Sequence, residues 1–331
     1  MKITILCVSL ILSGVSGVHS QVRGQSTEIL DVEHADADFA VQGEYSGTIE
    51  VNGNDVKLGV QVIADGDGKF RSVGYSGGLP GDGWNGLDET KFPGSGEIID
   101  GVCFLKSNSG AQSGEIRDGI LTLSAGGNEL GELNKVKRKS PTLGAEAPNG
   151  AVVLFDGSNA DNFVEEDLLD DNLLKQGATS RQKFGSYKLH LEFMLSYSPK
   201  ARGQRRSNSG CYHQGRYEVQ ILDSFGLEGV DHECGGIYKI ASPAVNMCLP
   251  PLSWQTYDVE FQKAVYDQAG RKTQNARITV LHNGVKIHDA QELGHATTAY
   301  IVSEGPEDGP IYLQDHSNQV RFRNIWVQPV P

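Results

Sequence analysis

Short runs of alternating apolar and polar residues, separated by glycines, fill the first part of the chain. Alternation with a period of two is typical of strands that bury one face, and glycine-rich gaps are typical of tight turns. The pattern predicts strands at residues 45–51, 56–64, 69–73, 101–105, 114–117 and 120–124. We therefore expect a small, glycine-rich all-β domain over residues 28–138.

The same pattern returns in longer runs in the second part of the chain. It predicts strands at residues 151–155, 186–195, 210–212, 217–222, 254–261, 277–281, 311–314 and 320–327. Leu189, Leu191 and Phe193 alternate with polar residues and are expected to face a core. Strands of this kind favour a two-sheet antiparallel β-sandwich. The pair Asn283-Gly284 between two apolar runs predicts a hairpin, and a helical turn or two is expected near residues 165–176.

Two segments differ in composition from these domains. Residues 139–150 are small, polar and proline-containing, which predicts a linker before a second domain at residues 151–331. Residues 1–20 combine a positive start at Lys2, an apolar run and small residues up to Ser20, which is typical of a secretory leader cleaved near Ser20. The apolar run is shorter than the about 20 residues of a membrane span. The sequence thus predicts an exported protein, periplasmic or extracellular, without a membrane span.

The chain is acidic. Its formal net charge is −13, and loss of the leader with Lys2 leaves 28 basic against 42 acidic residues, or −14. Such a charge disfavours nucleic acid and anionic lipid as partners but is compatible with neutral sugars. Four cysteines follow the leader: Cys103, Cys211, Cys234 and Cys248. An exported protein permits a disulfide, for which Cys234 and Cys248 are the best pair, and four buried free thiols are the alternative.

Two motifs with catalytic associations occur in the first domain. Residues 74–78 (GYSGG) fit the nucleophile-elbow pattern, and residues 81–86 (GDGWNG) fit the phosphate-binding pattern. Each pattern needs a helix directly after it to present the serine or to aim backbone N–H groups at phosphate. The residues that follow are rich in glycine and proline, so we interpret both as glycine-rich loops.

A polar face is expected on the second domain. In residues 217–223, alternation places Val219 and Ile221 on one face of a strand and Glu218 and Gln220 on the other. In residues 311–316 the same logic leaves Tyr312, Gln314 and His316 outward. Carboxylates and amides bind hydroxyl groups while aromatic rings cover the C–H faces of a sugar. The alternative is an ordinary solvated face of an antiparallel sheet.

Several ordered motifs carry a family resemblance over residues 151–329. They are NSG at 208–210, YEVQILDS at 217–224, CGGIY at 234–238, WQTYD at 254–258, HNGV at 282–285, GPIYLQDH at 309–316 and FRNI at 322–325. In this order they resemble the 3-keto-disaccharide hydrolase family, which has a concanavalin/laminin-G-like jelly roll. The leading domain, through SPTLG at 140–144, is similar to a module that often precedes this domain in planctomycete proteins.

The resemblance implies cleavage of glycosides whose sugar is already oxidised at C3. A base removes the C2 proton, the C1 substituent is expelled, and water then adds to the enone. It implies Glu218 as base or metal-binding carboxylate and His316 as proton shuttle, because histidine titrates near neutral pH. The residues expected to bind hydroxyls or the keto oxygen, or to lie at the rim, are Asn208, His213, Gln220, Asp223, Tyr238, Lys239, Gln314 and Arg323.

Cofactor and partner expectations follow from the same residues. No nucleotide or flavin fingerprint is present, so an upstream sugar 3-dehydrogenase is expected as a pathway partner. The histidines show no tight metal-ligand spacing. Binding of a divalent ion such as calcium by oxygen ligands remains an open alternative.

Two alternative functions remain. A laminin-G-like sandwich that binds carbohydrate without chemistry is one, since fold does not decide function. The other is retaining hydrolysis by Glu218 and Asp223, which needs a β-bulge to bring Asp223 to the Glu218 face. Gln220 stands where such enzymes carry an acid.

Overall fold

A computed structural model of the protein describes residues 28–330, so the expected leader lies outside the described residues. The fold is almost entirely β, as expected. Within residues 28–330 no helix is long and apolar enough to cross a membrane.

The first domain is a closed eight-stranded barrel, in which each strand pairs with the next and β1 pairs with β8. Its strands are β1 (Gly43–Val51), β2 (Asn54–Gly66), β3 (Lys69–Ser76), β4 (Lys91–Ile99), β5 (Val102–Ser107), β6 (Gln112–Arg117), β7 (Ile120–Ala125) and β8 (Asn128–Val136). The pattern predicted six of the eight. It missed β4, where Pro93, Gly94 and Gly96 interrupt the alternation, and β8, which is mostly polar.

One end of the barrel is covered. A short helix, α1 (Ala37–Val41), begins at Asp36, whose side chain accepts a hydrogen bond from the Phe39 backbone N–H. Phe39 packs edge-on against Tyr197 of the second domain at 5.1 Å between ring centroids. Tyr197 is fully buried and belongs to the barrel core. The second domain thus supplies part of the closure of the first.

The second domain is a two-sheet sandwich, which confirms the predicted fold class. Its strands are β9 (Val152–Phe155), β10 (Leu169–Asp170), β11 (Leu173–Lys175), β12 (Ala178–Phe184), β13 (Ser186–Leu195), β14 (Asn208–His213), β15 (Tyr217–Leu222), β16 (Trp254–Gln262), β17 (Val265–Tyr266), β18 (Lys272–Gln274), β19 (Ala276–His282), β20 (Val285–Leu293), β21 (Gly309–Leu313) and β22 (Val320–Val330). The large sheet has the order β10-β11-β22-β13-β16-β19-β20, with β9 on β22, and the small sheet has the order β12-β21-β14-β15.

Apolar residues from the inner faces of both sheets form one core. Leu189, Leu191 and Phe193 of the large sheet and Val219 and Ile221 of the small sheet are members of it, as the alternation predicted. The outer face of each sheet is therefore left to polar residues.

Two local predictions have opposite outcomes. The hairpin at residues 282–285 is confirmed, with Asn283 and Gly284 both at positive φ between β19 and β20. The helix expected near residues 165–176 is wrong. A β-hairpin of β10 and β11 occupies that segment, because Asp171 and Asn172 adopt positive φ and form its turn.

The two glycine motifs are not followed by an α-helix. Residues 74–76 end β3, residues 81–86 form a loop, and a 3₁₀ turn of three residues at Asp88–Thr90 follows. The second motif is thus a loop, as interpreted, whereas the first begins inside a strand. The four cysteines of the described part of the chain are buried free thiols, so the expected Cys234–Cys248 disulfide is wrong and the alternative holds.

Residues 139–150 lie against the outer face of the large sheet. Ser140 Oγ is 2.6 Å from Thr256 Oγ1, and Thr142 Oγ1 donates to Asp258 Oδ2 at 2.6 Å. The Gly144 N–H donates to Glu192 Oε1 at 2.6 Å. Side chains of the sandwich thus hold this connecting segment in place.

Candidate functional site

The candidate site lies on the outer face of the small sheet, where β14 and β15 pair antiparallel. Tyr212 is opposite Glu218, and Gly210 is opposite Gln220. Since alternate residues of a strand share a face, Asn208, Gly210 and Tyr212 of β14 lie on the same side as Glu218 and Gln220 of β15. The neighbouring strand β21 adds Tyr312 and is followed by Gln314, whose N–H donates to the Gly210 carbonyl at 2.9 Å. The predicted grouping of Glu218, Gln220 and Gln314 is thus what the sheet register produces.

Glu218 is the central charged group of this face, although only 3% of its surface is exposed. Its carboxyl group lies over the backbone of Gly210, where a Cβ atom would overlap Oε1. A glycine at residue 210 is therefore needed to seat the carboxyl group between the two strands. Among residues 28–330, no salt bridge joins Glu218 to a basic side chain.

Burial raises the pKa of Glu218 to about 8, and the neighbouring Tyr212 hydroxyl partly offsets that increase. Burial disfavours the charged form of a carboxyl group, and no neighbouring cation compensates for the lost hydration. A carboxyl group that titrates near neutral pH is suited to take or give a proton. Strongly shifted groups of this kind are common at functional sites.

Tyr212 connects Glu218 to the rest of the face. Its hydroxyl donates to the Thr298 carbonyl at 2.8 Å and accepts from Gln314 Nε2 at 3.2 Å. Its ring lies 5.4 Å from that of Tyr312, and burial, followed by the charge of Glu218, raises the pKa of its hydroxyl. Sequence reasoning missed Tyr212, although alternation within β14 places it on the same face as Asn208.

Side-chain amides surround the carboxyl group on its other side. Asn208 is buried, and its Nδ2 donates to the Gln204 carbonyl at 2.9 Å, while its Oδ1 has no partner. The Gln220 side chain, oriented with its amide nitrogen toward the carboxyl group, donates to Glu218 Oε1 at 3.1 Å. A buried acceptor without a partner is costly unless a ligand satisfies it. Asn208 Oδ1 is therefore available to a ligand hydroxyl.

Three further predicted residues lie at the edges of this sheet. The segment 235–238 runs beside β15, with the Tyr238 N–H donating to the Glu218 carbonyl at 3.4 Å. The Lys239 ammonium lies 5.4 Å from the centroid of the Tyr238 ring and is exposed. His316 is also exposed and lies two residues after Gln314. These positions are compatible with a rim.

His213 is not at the rim, so that prediction is wrong. It is fully buried on the core side of β14, where its Nδ1 is 2.9 Å from the Tyr187 hydroxyl and its ring stacks on Phe261. Burial lowers the pKa of its imidazole to about 3. It follows Asn208 by five positions, an odd offset, so strand alternation turns it away from Glu218.

Asp223 also fails to join Glu218. The register of β14 and β15 runs from residue 208 to residue 213 without a shift, so the β-bulge that the two-carboxylate alternative needs is absent. Asp223 lies beyond the end of β15 and forms a buried ion pair with Arg206, whose Nε is 2.6 Å from Asp223 Oδ2. Its place is structural, and the expected role in substrate binding is wrong.

Arg323 belongs to the other outer face of the sandwich. It lies on β22 in the large sheet, where its Nε donates to Glu192 Oε2 at 2.6 Å and its guanidinium covers the Trp254 ring at 4.0 Å. The expected role at the Glu218 site is therefore wrong. Strand order within the sheets decides this, and the linear sequence does not contain it.

Residues 28–330 contain no group of three or more His, Cys, Asp or Glu side chains placed to hold a metal ion. Around Glu218 the donors are one carboxyl group, three amides and two phenols.

The fold and this face define a two-sheet β-sandwich protein with a carboxyl-bearing, amide- and tyrosine-lined polar surface. Residues 150–328 match the family model described as the 3-keto-alpha-glucoside-1,2-lyase-like domain, and the chain belongs to that family. The match covers the sandwich and leaves the barrel outside it. No curated protein matches the chain.

Solved structures similar to the chain come from Parabacteroides distasonis, and each is described as a "putative glycosyl hydrolase". One has 28% sequence identity and a TM-score of 0.52, over 56% of this chain and 85% of that chain. A second has 16% identity and a TM-score of 0.41, over 55% of this chain and 95% of that one. A third has 18% identity and a TM-score of 0.40, over 55% of this chain and 100% of that one.

Proposed function

We propose that the protein cleaves glycosides of 3-keto sugars by elimination at C1, with Glu218 as the base. The observation that carries the proposal is a buried carboxyl group with a pKa of about 8, set among amide and tyrosine side chains on one sheet face. Membership in the 3-keto-alpha-glucoside-1,2-lyase-like family supports the same chemistry.

The reaction divides into an elimination and a hydration. The carboxylate of Glu218 takes the C2 proton, which the C3 ketone acidifies, and the C2–H electrons form an enolate. Collapse of the enolate makes the C1–C2 double bond and breaks the bond from C1 to the leaving oxygen, which takes up a proton. Water then adds at C1 and a proton returns to C2, leaving the free 3-keto sugar.

Burial of Glu218 suits this task. A base is most effective when its pKa lies near the working pH, because it is then both available and strong enough. At its ordinary pKa near 4.5 the carboxylate would be a weaker base toward a carbon acid. The same burial removes water that would otherwise compete for the carboxylate.

The surrounding side chains take the remaining roles. The Gln314 amide, held in place by the Tyr212 hydroxyl, donates its second N–H to the developing enolate oxygen. Asn208 and Gln220 bind sugar hydroxyls, Tyr238 and Lys239 extend the rim, and exposed His316 supplies the proton to the leaving oxygen. The ketone is made beforehand by a separate sugar 3-dehydrogenase, and the protein works outside the cytoplasm after export.

The test is incubation with 3-keto-trehalose and 3-keto-cellobiose beside the unoxidised sugars, with and without a chelator, following release of the second sugar. We expect release from the keto sugars alone. Glu218→Gln is expected to lower the rate by about 10²–10⁴-fold, the usual contribution of a positioned base. Glu260→Gln, an exposed acid on the large sheet, is the matched control and should leave the rate unchanged.

A binding module without chemistry is the second candidate, supported by the partner-free Asn208 Oδ1 in a polar face. It predicts saturable sugar binding and no release from any of the four sugars. Loss of release in the presence of the chelator would add a divalent ion to the site.

A further inference from the structure

A cavity inside the barrel lies outside the sandwich and its polar face. Its volume is about 490 Å³, and inward-facing side chains line it, among them Val56, Leu58, Leu105, Leu121 and Leu123. Small-molecule sites have volumes of roughly 300–1,000 Å³ and mostly apolar walls. An eight-stranded barrel is wide enough to hold one small ligand but not a folded segment. Size and shape thus fit a small molecule.

The two ends of the barrel differ. Helix α1 with Phe39, together with Tyr197 from the sandwich, closes one end. At the other end Val51 and Phe92 line the cavity while 37% and 42% of their surfaces are exposed. Large apolar side chains at an open mouth are unfavourable in water unless a ligand covers them. The barrel interior is therefore closed at one end and open to solvent at the other.

An inward-facing glycine on β3 leaves space in the barrel interior that a side chain would fill. Gly74 points inward on β3, does not have a positive φ, and a Cβ atom there would meet Phe92 at 3.5 Å, an ordinary contact. Nearby Gly94 differs, because a Cβ atom there would collide with the Lys106 carbonyl at 2.6 Å. Neither backbone conformation nor packing thus demands a glycine at residue 74. Its effect is to leave space.

The lining also indicates the charge of the ligand. Ser72, Ser76, Ser107 and Gln112 supply neutral polar groups, and among residues 28–330 no carboxylate lines the cavity. Of the described lining residues only Lys106 is charged; it is exposed, while its neighbours Leu105 and Ser107 on β5 face the interior. We propose that the barrel binds one neutral, apolar small molecule, with a hydroxyl or carbonyl group held by these polar side chains.

The proposal is tested with the uncharged dye N-phenyl-1-naphthylamine, whose fluorescence rises in apolar surroundings, and with 1-dodecanol as competitor. We expect saturable dye binding that dodecanol displaces. Gly74→Leu fills the cavity and Val51→Trp obstructs its mouth, and each is expected to weaken dye binding at least about tenfold. Ser95→Leu, which adds the same side chain to the exposed outer surface of β4, is the control and should bind as the unaltered protein does.

Three results would overturn the proposal. The first is dye affinity unchanged in Val51→Trp and Gly74→Leu, with circular dichroism showing both folded. The second is displacement by dodecanoate and not by dodecanol, which would assign the cavity to anions. The third is dye binding by a chain that begins at Gln21 but not by the full chain, which would make the leader the occupant. Because the dye assay uses no sugar, its outcome is independent of the 3-keto reaction.

Discussion

The two outer faces of the sandwich each hold a buried glutamate, and the pKa values of the two carboxyl groups are shifted in opposite directions. Glu192 on the large sheet is 1% exposed and Glu218 on the small sheet is 3% exposed. Burial alone would raise both pKa values. For Glu192, however, hydrogen bonds from His190, Asn324, the Gly144 N–H and Arg323 outweigh burial and lower the pKa to about 2. For Glu218 burial prevails and the pKa rises to about 8.

The difference separates a structural acid from one prepared for chemistry. Glu192 is ionised, paired with a cation and bonded to the segment that connects the two domains. Removing one partner of such a pair is destabilising, because the other group is left without its counter-charge. Glu218 has a tyrosine and an amide as neighbours and, within residues 28–330, no cation paired with it, which costs stability. Such a cost is tolerated where function requires the group.

Breaking the pair on the large sheet should have the largest effect on stability. Glu192→Gln leaves Arg323 without its partner and weakens the hold on residues 140–145. Arg323 is 38% exposed, so solvent screens the charge that it is left with. Hydrogen bonds to a charged group contribute about 1.5–3 kcal/mol, and we expect a loss of about 3 kcal/mol in denaturant unfolding. Activity per folded molecule should persist. An unchanged midpoint would show that the face around Glu192 does not hold the fold together.

The second effect, smaller and of opposite sign, concerns the stability of the Glu218 face. Because folding raises the pKa of Glu218 from 4.5 to about 8, the folded protein keeps a proton that the unfolded chain releases between these values. Stability contributed by this group therefore falls as pH rises from 4.5 to 8. Glu218→Gln removes the cost, and unfolding at pH 9 should show the variant more stable by about 1–3 kcal/mol.

The matched pH dependence of Glu192 runs the other way. Its pKa is lowered to about 2, so its contribution to the stability of the fold is present above pH 4.5 and is lost as pH falls toward 2.

If Glu218→Gln and the unaltered protein had parallel stability curves between pH 5 and pH 9, the raised pKa of Glu218 would be contradicted.

The smallest effect is a displacement of the pH–rate profile. A base with a pKa of about 8 predicts a rate that increases with pH up to about 8. Tyr212→Phe removes the hydroxyl that lowers the pKa of Glu218, so the midpoint of the profile should move to higher pH. Tyr217→Phe, which removes a hydroxyl bonded to Glu304 away from this face, is the control. A profile that decreases with pH through 8 would instead make Glu218 the acid.

The sequence predicts most of the fold because period-two alternation is a local property. It fails where alternation is interrupted, as at Pro93 in β4, and where an apolar stretch is divided by a turn, as at Asp171 and Asn172. Closure of the first eight strands into a barrel depends on β1 pairing with β8, a contact between distant residues that no local pattern contains.

The candidate site divides in the same way. Glu218, Gln220 and Gln314 were found because strand alternation assigns each to an outer face. Arg323 also lies on an outer face, but on the other sheet, and only the strand order shows this. Alternation places both His213 and Asp223 away from the Glu218 face, so stricter use of that rule would have excluded both.

The most direct test of the central claim is the fate of the C2 hydrogen when the unaltered protein and Glu218→Gln cleave 3-keto-trehalose in D₂O. Elimination followed by hydration exchanges that hydrogen with solvent, so NMR of the released 3-keto glucose should show deuterium at C2. Glu218→Gln should form this product far more slowly. Release of a product that keeps its original C2 hydrogen, under conditions where the free keto sugar does not exchange, would contradict the account, since direct displacement at C1 leaves C2 untouched.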